Sequence, residues 1–145
     1  MLDPTLEQQM RARVANAPFA KWMGIELVSL DSGRSEIRMK IEPHHKNPGG
    51  IPHGGIVATL IDVAIGVALR TKLGMRATHV TVELRVNYLQ AVRDGMLTAR
   101  GEAVHSGGRT GYGEATLYDE DDRILARGSA TFLVLGEGAA PGSDT

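Results

Sequence analysis

The sequence predicts an α+β domain in which one long buried helix packs against an antiparallel sheet. From Gly54 to about Lys72 the chain is apolar on nearly every side of a helix, and Asp62 is the one ionisable side chain between His53 and Arg70. A predicted hairpin precedes this helix, and four segments that alternate between apolar and polar residues follow it. This order of elements is typical of α+β proteins. Because one helix covers only one face of a flat sheet, we expect the sheet to curl around the helix.

The elements before the long helix are predicted from capping residues and from a change in periodicity. Asp3 or Thr5 caps a first helix that is broken at Pro18, and a short helical turn follows. From Gly24 the apolar period changes to two, which predicts a hairpin with its turn at 31–33. We therefore expect an N-terminal helical segment over 1–23 and the main domain over 24–135.

Four strands are expected after the helix, which Gly74 can terminate as a C-cap. They are predicted over 79–89, 96–104, 110–118 and 124–135. In the first strand, four apolar residues are predicted to share one face of the sheet: Val80, Val82, Leu84 and Val86. The last residues, 136–145, are rich in glycine, alanine, proline and serine, which predicts a flexible tail.

Length and composition exclude several functions. The 145 residues suit one domain, and a formal net charge of -1 gives no electrostatic basis for binding nucleic acid or an anionic membrane. The absence of cysteine excludes disulfides, thiol nucleophiles and thiolate metal sites. The N-terminus lacks the pattern of a signal peptide, and the apolar helix is short for a membrane span and carries Asp62. We therefore expect a cytoplasmic protein.

Asp62 is the first candidate for a functional residue. A carboxylate among Leu60, Ile61 and Val63 loses much of its hydration, which proteins rarely tolerate without a partner or a purpose. Asp62 lies too far inside the helix to cap its N-terminus. The alternative is a structural aspartate that is paired with another group or whose carboxylate reaches water.

A loop rich in proline and glycine leads into the helix. It runs from Asn47 to Gly55 and ends where the N–H groups of the first helical turn are unpaired and the helix dipole is positive. Glycine lets a substrate carbonyl approach the backbone closely, so this geometry suits an oxyanion hole. Glycine-rich loops also begin many helices that have no catalytic role, so this interpretation stays open.

These motifs resemble the hotdog-fold thioesterases, in particular the branch that acts on phenylacetyl- and hydroxybenzoyl-type acyl-CoA esters. The resemblance covers roughly 24–135 and depends mainly on the stretch from Asn47 through Asp62 and on Thr81-Val82-Glu83-Leu84-Arg85-Val86-Asn87-Tyr88. It implies a hotdog fold and hydrolysis of acyl-CoA with no cofactor beyond the CoA of the substrate. It further implies that Asp62 acts as nucleophile or general base, that the Gly54 backbone polarises the carbonyl, and that Thr81 positions water or the carboxylate.

The resemblance also implies roles for neighbouring residues. Asn47 and His53 would arrange the thioester end of the substrate, and a general-base role for His53 is the alternative. The connection Ser106-Gly107-Gly108-Arg109-Thr110 is similar to the place where related proteins hold the nucleotide phosphates of CoA, and Gly55 is assigned to substrate binding with it. A tight turn with a solvated arginine is the structural alternative, and Thr81 is also a common strand residue.

The spacing of Gly54 and Asp62 predicts an active site shared between two subunits. Eight positions along one helix correspond to about 12 Å, whereas a reacting carbonyl carbon must lie ~3 Å from the carboxylate. One carbonyl cannot reach both groups of the same chain. We therefore expect a homodimer with antiparallel helices about a two-fold axis, in which each site combines Asp62 of one chain with Gly54 of the other. Two such dimers could pair into a tetramer.

Two other functions are compatible with this fold. An acyl-CoA dehydratase would use a histidine paired with an acid, but a glycine loop opposite a helix carboxylate favours hydrolysis. A non-catalytic acyl-CoA-binding module would be joined to a basic DNA-binding segment, which is absent here. His44, His45 and His79 have no spacing that suggests a metal site, and 44–45 are expected in a solvated loop. No metal is predicted.

Overall fold

Two helices precede the sheet in the computed structural model, which describes residues 1–136. Helix α1 spans Pro4–Asn16 and helix α2 spans Pro18–Met23. Asp3 caps α1, because its Oδ1 accepts a hydrogen bond of 3.0 Å from the Leu6 N–H. The predicted break at Pro18 and both helical elements are confirmed. Of the predicted tail 136–145, only Gly136 lies within the described residues.

Within residues 1–136, six strands form one antiparallel sheet, which confirms the predicted hairpin and the four later strands to within two residues at each end. They are β1 (Glu26–Asp31), β2 (Arg34–Lys40), β3 (Thr78–Tyr88), β4 (Met96–Ser106), β5 (Thr110–Tyr118) and β6 (Ile124–Leu135). The spatial order is β1-β2-β4-β5-β6-β3, and every neighbouring pair is antiparallel. Strands β1 and β3 are therefore the two edges of the sheet.

The long helix α3 spans Gly54–Leu73 and contacts all six strands, as expected for a sheet that curls around a helix. Two glycines let the strands approach closely. A Cβ at Gly113 would lie 2.5 Å from Ile65 Cγ2, and a Cβ at Gly128 would lie 2.6 Å from Ile61 Cγ2. Fully buried side chains of α3 occupy the centre of the core: Leu60, Ile61, Ala64, Ile65 and Leu69. Gly74 follows the helix with its N–H bonded to the Arg70 carbonyl, so the predicted C-cap is confirmed.

The prediction that four alternating residues of β3 share one face is wrong, because Val80 and Val82 do not lie on the face of Leu84 and Val86. The register between β3 and β6 shifts between Thr81 and Glu83, which marks a bulge. Val82 is 60% exposed, whereas Leu84 and Val86 pack against the core. The bulge inserts one residue and so reverses the alternation in the part of the strand that precedes it. Thr81 rather than Val80 therefore lies on the face of Leu84.

The expectation that 44–45 lie in a solvated loop is wrong for His45, which is 1% exposed. Its Nδ1 accepts a hydrogen bond of 2.9 Å from the Glu42 N–H, and its carbonyl accepts one of 2.9 Å from the His53 N–H. Residues Pro43–His45 form a single 3-10 turn. His45 thus fixes the start of α3 to the end of the hairpin. Between residues 1 and 136, no helix has the length and apolar character needed to cross a membrane.

Candidate active site

Asp62 lies in the middle of α3 and is bonded to the edge strand β3. Its Oδ1 accepts a hydrogen bond of 2.8 Å from Thr81 Oγ1. Burial raises the pKa of the Asp62 carboxyl, and the hydrogen bond from Thr81 partly opposes this increase. Among the described residues, this partly desolvated carboxylate is held by one donor and has no cationic partner within hydrogen-bond distance, so it is suited to act as a base or a nucleophile.

Asp62 and Thr81 line an open cavity of about 330 Å³ between the N-terminal helices and α3. Asp62, Gly66 and Arg70 follow one another at four-residue spacing, so the cavity extends along one face of α3. Most of the lining is apolar and comes from α1, α2, α3 and β6: Met10, Val14, Ala17, Phe19, Ala20, Val63, Val67 and Phe132. The cavity can therefore hold an apolar group beside the carboxylate.

The start of α3 presents a free backbone donor. His53 is the N-cap, and its Nδ1 accepts a hydrogen bond of 2.8 Å from the Gly55 N–H. Within residues 1–136, the exposed Gly54 N–H donates to no acceptor. The Gly54 carbonyl accepts a hydrogen bond of 2.6 Å from the Tyr88 hydroxyl, which anchors this turn to β3. A fixed, unpaired N–H at the positive end of a helix is the kind of group that stabilises an oxyanion.

Asn47 shapes the loop that precedes the helix. Its Oδ1 accepts hydrogen bonds from the N–H groups of Gly49 at 2.9 Å and Ile51 at 3.3 Å. Its own N–H and carbonyl bond to Ile51 and Gly50, so the loop is closed on itself. These contacts show that Asn47 holds the conformation of the loop. Its contact with the thioester stays a prediction.

The predicted nucleotide contact lies elsewhere in the same chain. Ser106 is the last residue of β4, and Gly107, Gly108 and Arg109 connect it to β5. None of these four residues lines the cavity that contains Asp62. Gly111, two residues after Arg109, packs against Leu69 near the C-terminal end of α3. Arg109 is exposed, and its carbonyl accepts a hydrogen bond of 2.7 Å from the Val134 N–H.

The predicted residues thus fall into three groups within one chain. Asp62 and Thr81 form the first, the loop with Asn47, His53, Gly54 and Gly55 forms the second, and the β4–β5 connection forms the third. Gly54 and Asp62 occupy one uninterrupted helix, so the helix rise of about 12 Å separates them. A single chain therefore does not bring the carboxylate and the free N–H to one carbonyl.

Four residues near the site were missed by the sequence analysis: Tyr88, Arg13, Arg70 and His79. Arg70 could have been found, because it lies eight positions after Asp62 and helical periodicity puts both on one face. Tyr88 gave no such signal, because an odd separation of seven residues puts it on the opposite face of a regular strand from Thr81, and only the bulge brings both to one face. Arg13 and His79 reach the cavity only through the packing of α1 and β3 against α3.

His79 does not complete a metal site. Burial, with Arg70 and Arg13 nearby, lowers the pKa of His79 to about 4, and its Nδ1 lies 3.2 Å from Arg70 Nη2. The imidazole is therefore neutral and accepts from the guanidinium. The described part of the chain contains no group of three or more His, Cys, Asp or Glu side chains arranged to bind a metal ion.

Comparison with known proteins decides the family. A family model described as "Thioesterase superfamily" matches residues 49–126, which include Gly54, Asp62 and Thr81. The chain belongs to the thioesterase superfamily. This confirms the predicted family, and the curled six-stranded sheet around α3 is the hotdog fold.

Other superfamily members cover most of the chain. The 1,4-dihydroxy-2-naphthoyl-CoA hydrolase of Listeria monocytogenes is 27% identical over 112 residues, which are 77% of this chain and 91% of the relative. The medium/long-chain acyl-CoA thioesterase YigI of Salmonella typhimurium is 26% identical over 136 residues, covering 83% and 88% of the two chains. The structure of the E. coli PaaI protein from the phenylacetic acid degradation operon superimposes with a TM-score of 0.84 at 23% identity, covering 94% of this chain and 98% of PaaI. The PaaI comparison supports the fold alone.

Proposed function

We propose that this thioesterase-superfamily protein hydrolyses acyl-CoA thioesters to a free acid and CoA, with Asp62 as the reacting carboxylate. The observation that carries the proposal is the partly buried Asp62, bonded to Thr81 at an apolar cavity that can hold the acyl group. Two relatives that align with most of the chain are named for hydrolysis of acyl-CoA esters.

Asp62 can act in either of two ways. As a general base it takes a proton from water, which attacks the carbonyl carbon; the tetrahedral intermediate then collapses and releases the CoA thiol, which takes up that proton. As a nucleophile it attacks the carbonyl carbon itself and expels the thiolate, and water then cleaves the resulting anhydride. In both routes the oxygen of the thioester carbonyl becomes negatively charged. The Gly54 N–H would stabilise this charge, and Thr81 would hold the carboxylate in position.

The active site would require a second copy of the chain, because Gly54 and Asp62 are too far apart along α3. The edge strand β3 supports this arrangement. Its outer side has no partner strand among the described residues, and Val82 and Tyr88 are exposed along it. Pairing two β3 strands antiparallel about a two-fold axis would extend the sheet across the dimer.

The two anchors on β3 define the register of this pairing. Thr81 binds the Asp62 side chain, and Tyr88 binds the Gly54 carbonyl. If Thr81 of one chain lies opposite Tyr88 of the other, each Asp62 comes next to the Gly54 of the partner subunit. Because the bulge makes Val82 and Glu83 share one position of the strand, the two-fold axis then passes through Arg85.

The remaining predicted residues would bind the rest of the substrate. Asn47 and His53 hold the loop that carries the Gly54 and Gly55 N–H groups, so their role would be to position the thioester. The exposed Arg109, with Ser106, Gly107 and Gly108, would contact the nucleotide phosphates of CoA. No cofactor is needed for either route.

A hydrolysis panel with Asp62→Asn tests the proposal. Release of free thiol is measured for phenylacetyl-, hydroxybenzoyl-, short- and long-chain acyl-CoA esters. We expect turnover of at least one ester and a decrease in kcat of at least ~100-fold for Asp62→Asn, the lower end for loss of a general base. Because burial raises the pKa of Asp62, the charged form destabilises the fold above the unfolded pKa, so the variant should melt at the same temperature as the wild type or higher at neutral pH.

Two results would contradict the proposal. A folded Asp62→Asn variant with near-normal kcat would exclude the catalytic role of the carboxylate. Binding of every ester without thiol release would instead favour a non-catalytic acyl-CoA-binding module, and release of water from a hydroxyacyl-CoA would favour a dehydratase.

A further inference from the structure

The end of the cavity that is far from Asp62 carries positive charge that no acid of the described chain neutralises. Arg70 is 7% exposed and donates to the carbonyls of Gly74 and Ala77 and to His79 Nδ1. Among residues 1–136, no carboxylate forms an ion pair with it. Carbonyl groups and a neutral imidazole satisfy its N–H groups but leave its charge uncompensated.

A second guanidinium lies at the same end. Arg13 reaches the cavity from α1 and forms no hydrogen bond or ion pair with any described residue. Burial lowers the pKa of Arg70, and the charge of Arg13 lowers it further, so the two guanidinium groups lie close enough to repel each other. Two like charges at one end of an otherwise apolar cavity favour an anionic ligand there.

The path from Asp62 to this end is open along α3. Asp62, Gly66 and Arg70 share one helix face, and the first and last of them are separated by a rise of about 12 Å. Gly66 has no side chain to obstruct the path, and a Cβ there would lie 3.3 Å from His79 Nε2. An acyl group whose thioester carbonyl lies at Asp62 can therefore extend past Gly66 toward the two arginines.

We propose that Arg13 and Arg70 bind a carboxylate at the far end of the acyl group, so that the preferred substrates are CoA monoesters of dicarboxylic acids. This inference rests on the proposed acyl-CoA hydrolysis. The apolar walls contact the methylene or aryl spacer, and the guanidinium groups form charge-assisted hydrogen bonds with the terminal carboxylate. Arg13, which is exposed and unpaired, can move to meet the ligand, whereas Arg70 is held in place by its backbone contacts.

Matched pairs of esters test the inference. Adipoyl-CoA is compared with hexanoyl-CoA, and suberoyl-CoA with octanoyl-CoA, because each pair has the same number of acyl carbons. We expect kcat/KM to be at least about tenfold higher for the carboxylated ester of one pair. Equal values, or a preference for the alkyl esters in both pairs, would overturn the inference and leave the proposed hydrolysis intact. A preference for 4-hydroxyphenylacetyl-CoA over phenylacetyl-CoA without any preference for a carboxylate would also overturn it.

A pair of arginine variants separates binding from folding. Arg13→Gln removes the exposed guanidinium and should reduce the carboxylate-to-alkyl ratio of kcat/KM about tenfold. Arg11→Gln is the matched control on the same helix: Arg11 bonds to Glu7 and does not line the cavity, so the ratio should stay unchanged. A ratio that is unchanged in Arg13→Gln, or reduced equally in both variants, would contradict the assignment.

Calorimetry distinguishes failure of this inference from failure of the proposed reaction. Binding of adipoyl-CoA and hexanoyl-CoA is measured with the Asp62→Asn protein, which should turn them over at least ~100-fold more slowly than the wild type. Tighter binding of adipoyl-CoA that is lost when Arg13→Gln is added supports the carboxylate site, even if the wild type hydrolyses neither ester. Equal binding of both esters overturns it.

Discussion

Replacing Gly54 with proline tests the proposed oxyanion hole with little risk to the fold. Gly54 is the first residue of α3, a position at which helices accept proline readily. His53 has φ -62° and ψ 139°, the extended conformation that a following proline requires. A Cβ at Gly54 would lie 3.6 Å from Tyr88 Oη, which is an ordinary van der Waals contact. The substitution therefore removes one N–H group that has no partner in the described protein.

Loss of one oxyanion donor lowers kcat by about 100- to 1000-fold. Gly54→Ala is the matched control, because it adds a Cβ at the same place and keeps the N–H. We expect Gly54→Ala to retain most of the wild-type kcat, and Gly54→Pro to lose it while both form dimers in sedimentation. Equal losses in the two variants would refute the donor role and indicate a steric effect.

Heterodimers of Gly54→Pro and Asp62→Asn then test whether the site is shared. In each heterodimer one site carries both substitutions and the other carries neither, so half of the wild-type activity per dimer is expected. Since random reassortment makes half of the dimers mixed, an unpurified mixture should reach about a quarter. Verified heterodimers without activity would refute the shared site, because either both groups would act within one chain or Gly54 would not be the donor.

Three further predictions follow from the same contacts. Thr81→Val removes the hydrogen bond that holds down the pKa of Asp62, so the acid limb of the pH profile of kcat/KM should move to higher pH; an unmoved limb would show that Asp62 does not titrate as the reacting base. Arg109→Ala should raise KM for acyl-CoA relative to KM for the matching acyl-pantetheine ester, and equal increases for both would exclude a nucleotide contact. The chain has no cysteine, so Val82→Cys combined with Asn87→Cys should form disulfide-linked dimers on mild oxidation if Thr81 lies opposite Tyr88 of the partner subunit. Each single variant should stay uncross-linked, since four strand positions, about 13 Å, would separate its two cysteines when the bulge is counted as one position; cross-linking of a single variant would contradict the register.

Much of the fold could be predicted because local patterns determine each element. Asp3, Pro18 and Gly74 mark helix ends by their own backbone and capping chemistry, and the period-two segments lie where the strands are. The bulge at Val82 and the burial of His45 were not predictable in this way. A bulge depends on how β3 aligns with β6, and His45 is buried by contacts with residues far from it in sequence, such as Trp22.

The sequence by itself determined that one carboxylate lies on an apolar helix behind a glycine loop, and that eight helical positions separate Asp62 from Gly54. These are properties of neighbouring residues, and the regular rise of a helix converts them directly into distances. Only the tertiary structure decided that Thr81 binds Asp62, that Tyr88 anchors Gly54, and that Arg13 joins Arg70 at the far end of the cavity. Each of these contacts joins two elements whose relative position is fixed by the packing of the whole core, which no local pattern of residues encodes.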